Sequence, residues 1–187
     1  MLTPMRPTVA VFASDKGPGD AERASIMSQT GSYLARKGAR IVCLAEAEGL
    51  AVPLVTSARA AGGEVLVIGD ADFVMPAALA GVPLERIDDA DQRLARLTEL
   101  TQVFVGLPGS LASATRLFSS WVKSGGGPGG RPVVLFNRNR AFEAMRGMAT
   151  DVLSHGIRRH DRFIQFTDSV EDLWNKVLWL INEAPKV

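Results

Sequence analysis

The chain of 187 residues carries 21 Lys+Arg against 20 Asp+Glu, a formal net charge of +1, and 47% of it is apolar. That length suits one domain burying roughly 70% of its unfolded surface without a disulfide or metal staple. The near-neutral charge argues against a broad surface for DNA or anionic membrane, which needs many unbalanced basic groups, and a lone Cys43 with only His155 and His160 excludes a disulfide framework or multi-cysteine zinc cluster and disfavours a histidine-rich metal site.

No stretch approaches the ~20 consecutive apolar residues that span a bilayer. Met1–Pro7 holds one basic residue and two prolines, with no apolar signal core, and is expected to be a flexible lead-in to a cytoplasmic protein. Thr8–Ala13 (TVAVFA) is a nearly continuous apolar run, as expected of a strand covered on both faces. Asp20 stands where an N-cap belongs, and Ala21–Lys37 has a helical pattern closed by Gly38. Arg40–Leu44 predicts a second strand and Leu50–Ala61 a second helix, ended by Gly62 and Gly63. Glu64–Ile68 predicts a third strand. A less regular stretch with Pro76 and Pro83 follows, with a short strand expected near Arg86–Asp88.

Asp91–Leu100 reads as a helix, Val103–Leu107 as an apolar strand, and Ser113–Lys123 as a helix with Leu117, Phe118 and Trp121 at helical spacing. Pro132–Phe136 predicts a strand, Ala141–Leu153 a helix, Phe163–Phe166 a strand, and Val170–Asn182 a closing helix. Leu173, Trp174, Val177, Leu178 and Ile181 form its buried stripe, and the tryptophans read as core or dimer interface. Repeated β–α alternation predicts a single doubly wound, Rossmann-like α/β domain over 1–187, with a mostly parallel sheet of six or seven strands and helices on both faces.

In such sheets ligands bind beyond the carboxyl ends of the strands. The glycine run between Ser124 and Gly130 joins a helix to a strand, so it falls at the other edge and reads as a connection. The loop Ser14-Asp15-Lys16-Gly17-Pro18-Gly19-Asp20 lies on the ligand side, where Gly17 and Gly19 permit close backbone approach and Lys16 offers a positive charge. The loop Pro108-Gly109-Ser110-Leu111-Ala112-Ser113 is the better anion site: small residues let several amides converge, and Ser110 and Ser113 add hydroxyls. Arg93 precedes that strand and offers a bidentate guanidinium. Asp88, Asp89 and Asp91 read as helix-dipole partners rather than metal ligands. Asn137-Arg138-Asn139-Arg140 extends the polar rim, whereas His155, Arg158, Arg159, His160 and Arg162 read as a solvated basic loop on the far edge.

These residues carry a resemblance. The segment Ala90-Asp91-Gln92-Arg93-Leu94, the strand Val103–Leu107 and the run Pro108 to Arg116 are similar to the M-x-x-R-K segment, apolar strand and P-G-G-x-G-T-x-x-E motif of the Lonely Guy, or lysine-decarboxylase-like, proteins. Leu117-Phe118, Arg131-Pro132-Val133 and the opening VFASDKGPGD also sit where that family has Leu-Phe, Lys-Pro-Val and its first strand and glycine loop. The resemblance, spanning about Val9 to Ile181, implies a Rossmann-like nucleoside 5′-monophosphate phosphoribohydrolase, a homodimer without cofactor or metal. Arg93 then takes the family's catalytic arginine position, and Ser14, Lys16, Gly17, Gly19, Gly49, Pro108, Gly109, Ser110, Ala112 and Ser113 the substrate-binding positions.

The motif is altered. Ser110 and Ala112 replace glycines, Ser113 replaces threonine, and Arg116 replaces the acidic residue; no Asp or Glu occurs from Pro108 to Gly130. Of the family's glycine stretch after the second strand, only Gly49 and Leu50 survive. Cleavage of an N-glycosidic bond passes through an oxocarbenium-like state that a carboxylate stabilises, and losing such a group costs ~10²–10⁴-fold in rate. The expected function is therefore binding of a phosphorylated small ligand, a nucleoside monophosphate first, with hydrolase activity lost or reduced. Two alternatives stand: an active hydrolase drawing its carboxylate from Glu46 or Glu48, and a carrier or assembly module related to molybdenum-cofactor carriers or DNA-processing protein A. Membrane and nucleic-acid partners are not expected.

Overall fold

The structure, a computed structural model, describes residues 6–14, 21–45, 49–125, 130–156 and 159–183. Seven strands form one sheet: β1 (Thr8–Phe12), β2 (Arg40–Leu44), β3 (Glu64–Gly69), β4 (Leu84–Arg86), β5 (Val103–Gly106), β6 (Val133–Phe136) and β7 (Ile164–Thr167). Their order is β4-β3-β2-β1-β5-β6-β7, and all six pairings are parallel. The chain therefore builds outward from β1 to one edge, then returns to the other side of β1 and builds to the opposite edge.

Side-chain alternation along these strands supplies two apolar layers. Val9, Val11, Ile41, Cys43, Val65, Val67, Val103 and Val105 pack with α1 (Ala21–Arg36), α2 (Val52–Ala60) and α7 (Val170–Glu183), which contribute Met27, Leu34, Leu54, Leu173 and Val177. Ala10, Phe12, Val42, Leu66, Ile68, Phe104, Val133 and Leu135 pack on the other face with α3 (Ala90–Leu100), α4 (Leu111–Lys123) and α5 (Glu143–Met148). Trp174 belongs to the first layer and Trp121 to the second, with Trp179 packed partly buried against the first. No helix among the described residues is long and apolar enough to cross a membrane.

The element bounds shift where local chemistry intervenes. The β4 pairing begins at Leu84 rather than Arg86, because the Pro83 carbonyl already accepts from Val67 N–H at 3.0 Å. Helix α2 starts at Val52, with Pro53 in its first turn, where a missing N–H costs nothing. Helix α4 starts two residues earlier than its apolar spacing suggests, since Ser110 caps it. The helix expected over Ala141–Leu153 begins at Glu143 and runs without a break through α5, a π-helical segment at Ala149–Leu153 and the short α6 (Ser154–Gly156); it is preceded by a 3₁₀ turn at Arg138–Arg140. Asn139 and Arg140 hold φ of 57° and 59° there, which no regular helix accommodates.

Candidate functional site

The sheet order fixes where a cleft opens. Strands β1 and β5 are neighbours, with Val9 opposite Val103 and Phe12 opposite Gly106. The chain leaves β1 for α1 on one face and leaves β5 for α4 on the other. In open α/β sheets a crevice opens beyond the strands' carboxyl ends at such a topological switch point.

On the β5 side, buried Pro108 leads to Gly109, whose hydrogen faces a crowded space. A Cβ there would lie 2.4 Å from Ser113 Oγ and 3.1 Å from the backbone nitrogen of Ser14. Gly109 and Ser14 thus approach backbone to backbone, and a larger residue at Gly109 would displace the Ser113 hydroxyl and press on Ser14. Ser110 Oγ then accepts from Ser113 N–H at 3.1 Å, while Ser113 Oγ donates to the Ser110 carbonyl at 2.9 Å. The Ser113 hydroxyl, buried, spends its proton inside the cap. The Ser110 hydroxyl donates to no acceptor among the described residues. The amides of Leu111 and Ala112 open the helix with no carbonyl of the preceding turn to bind, so the α4 end offers two N–H donors and one hydroxyl to an anion.

Arg93 sits in the first turn of α3 and is only 7% exposed. Its Nη1 donates to the carbonyls of Ile87 and Asp88, both at 2.7 Å, tying the helix to the end of β4. Its Nε is buried with no hydrogen-bond partner among the described residues. A buried, unsatisfied charged donor is costly, and a bound acceptor would relieve it. The neighbouring aspartates have separate tasks. Asp88 Oδ1 accepts from Ala71 N–H at 2.9 Å, Asp89 caps α3 by accepting from Gln92 N–H at 2.8 Å, and Asp91 pairs with Lys123 Nζ at 2.7 Å. Hydrogen bonding from Lys123 and its charge hold the Asp91 carboxyl below the ordinary range.

Gly49, beyond β2, takes a φ of 97° that L side chains rarely adopt. Arg116 lies partly buried in the second turn of α4 and is already engaged with neighbours. Lys16, Gly17 and Gly19, with Glu46 and Glu48, fall outside the described residues, as does Arg158. Of the basic loop, Arg159 pairs with Asp161 at 3.3 Å and Arg162 with Glu183 at 3.6 Å. Gly126, Gly127 and Gly129 of the glycine run likewise fall outside the described residues.

Two contacts of the rim had no signal in the sequence, although Asn139 lies in the segment expected to extend it. Arg86 Nη1 donates to the carbonyls of Asp70, Ala71 and Phe73, at 3.0, 2.8 and 3.0 Å, and so shapes the loop beyond β3. Asn139 Nδ2 donates to Glu22 Oε1 at 2.8 Å, joining the loop beyond β6 to the start of α1. Both contacts bridge residues far apart in sequence, where no spacing rule applies.

Fold and crevice together define a parallel, doubly wound Rossmann-like α/β protein. No family model and no curated protein sequence matches the chain. Solved structures do match. The structure of TM1055 superposes with a TM-score of 0.66 at 18% identity, covering 94% of this chain and 99% of that one. The Moco carrier protein from Chlamydomonas reinhardtii gives 0.64 at 16%, covering 95% and 99%. The molybdenum cofactor binding protein from the phototrophic bacterium Rippkaea orientalis gives 0.67 at 11%, covering 96% and 99%. At these identities the likeness is one of fold.

Proposed function

We propose that the protein binds a small phosphorylated ligand, a nucleoside monophosphate first among candidates, in the crevice between the β1 and β5 loops, and that it cleaves such a ligand slowly or not at all. The observation that carries this reading is the close approach of Gly109 to Ser14 in front of the α4 N-terminus, which brings amides and the Ser110 hydroxyl together at the switch point. Arg93, whose Nε has no hydrogen-bond partner among the described residues and whose Nη1 holds the Ile87 and Asp88 carbonyls beyond β4, is the guanidinium this reading would call on. The substitution of Arg116 for the motif's acidic residue argues against N-glycosidic cleavage, because a cation opposes the positive charge that develops on the sugar.

Native mass spectrometry of the freshly purified protein, followed by calorimetry with AMP and ribose 5-phosphate, tests the proposal. Saturable binding that weakens about tenfold or more in Arg93→Ala, with AMP left intact, is the expected result. Absence of binding to either phosphorylated compound at millimolar concentration would overturn it. Adenine release that depends on Arg93 would instead establish the hydrolase, with a carboxylate from Glu46 or Glu48 the first to replace.

A carrier role is the second reading. The run from Pro108 to Gly130 without a carboxylate suits holding a ligand intact, and the likeness in fold to two molybdenum-cofactor proteins makes that cofactor the further ligand to try in the same calorimetric experiment.

A further inference from the structure

A second concavity, of about 430 Å³, opens beyond the carboxyl ends of β6 and β7, between the β6–α5 connection and the start of α7. Its rim is held in a demanding conformation. Asn139 and Arg140 both sit at positive φ, a conformation unfavourable for a side-chain-bearing residue that persists only where the surroundings impose it. Buried Asn137 supplies part of that constraint: its Oδ1 accepts from Phe142 N–H at 2.6 Å and its Nδ2 donates to Glu143 Oε2 at 3.1 Å. The hydrogen bond from Asn139 to Glu22 supplies the rest. The turn leaves the Arg140 side chain 80% exposed at the mouth of the cleft.

The charges around this cleft are unevenly satisfied. Lys176 pairs with Asp172 at 2.8 Å and also donates to the Phe166 carbonyl. Arg140 and Arg146, by contrast, share the single carboxylate of Glu143 at 4.0 and 3.7 Å, beyond the roughly 2.7–2.9 Å of a charge-assisted hydrogen bond. Arg146 is steadied over the Phe166 ring at 4.8 Å. On the β7–α7 side, Asp168 is exposed; its carbonyl accepts from Arg138 Nε at 3.2 Å, but its carboxylate pairs with nothing among the described residues. Two under-satisfied guanidiniums thus share a small cleft with one unpaired carboxylate.

We propose that this cleft is a binding site for a free amino acid, whose carboxylate bridges Arg140 and Arg146 and whose ammonium pairs with Asp168. The ionisable lining, Arg140, Arg146 and Lys176 against Glu143, Asp168 and Asp172, has no net charge. A zwitterion suits such a lining. A nucleotide or other polyanion would face three carboxylates, and like charges at close range oppose binding. The cleft's lining includes none of the residues proposed to hold the phosphorylated ligand, so the two proposals are tested separately.

Amide chemical-shift titration of the full chain with the common free amino acids tests it, followed by the N-acetyl and methyl-ester forms of the best binder. Saturating shifts at Asn137, Arg140, Phe166 and Asp168 are expected for a free amino acid. Either capping of the ligand should weaken binding by about tenfold or more, as should Asp168→Asn. Arg140→Gly, which keeps the left-handed backbone while removing the guanidinium, should do the same. Arg93→Ala should leave this binding unchanged. No shift at tens of millimolar of any free amino acid, equal binding of the N-acetyl form, or tighter competition by inorganic phosphate would each overturn the proposal.

Discussion

At Gly109 a single hydrogen atom decides whether two loops can meet. Gly109→Ala would force Ser113 Oγ off the Ser110 carbonyl and press on the Ser14 backbone. We expect a stability loss of about 1–3 kcal/mol by urea unfolding and a larger relative loss of ligand affinity by calorimetry; adding Ser113→Ala should restore part of the stability and none of the affinity. Cys43 presents the opposite case, a reactive group made inert. Burial pushes its thiol from 9.0 up to about 12, so thiol reagents should modify it only after unfolding. The raised value means that the neutral thiol favours the fold fully below pH 9, and that this contribution falls away as pH climbs toward about 12. Alkaline unfolding of Cys43→Ala should lack that part of the pH dependence. At this scale the sequence was only partly legible. Gly109 and Arg93 stood out by residue type and position. Arg86 did not, because an arginine that binds three backbone carbonyls looks in sequence like any solvated arginine.

Among elements, the tightest junction is that of α1 and α2. A Cβ on Gly31 would lie 2.3 Å from the Leu54 carbonyl oxygen and 2.4 Å from Ser57 Oγ. Because the first of these is backbone, the helices must separate. Gly31→Ala should therefore destabilise the protein by about 1–3 kcal/mol in denaturant unfolding, even though alanine is the better helix former. Apolar periodicity made the strands and most helices readable, since both report burial directly. It gave no account of the turn from Asn137 to Arg140, where side-chain hydrogen bonds from Asn137 and Asn139, rather than apolar spacing, set the backbone. Local turn chemistry of that kind leaves almost no periodic trace.

Across the whole molecule, protection should follow position in the sheet. Strand β1 is paired on both sides and buried on both faces, while β4 has three residues at one edge. Amide hydrogen exchange should be slowest in β1 and β5 and fastest among strands in β4; comparable rates in β1 and β4 would show that the sheet opens as one unit. The central place of β1 also has a consequence in time. Thr8 N–H is held by Gln102 Oε1 at 2.9 Å, across 94 positions. A ribosome adding about 5–20 residues per second takes roughly 5–20 s to bridge that interval. For those seconds the first strand shows one bare flank of backbone donors and acceptors, and the switch-point crevice has only one of its two walls. The newborn half of the sheet is therefore an adhesive surface, and the proposed binding site comes into being only when β5 closes it.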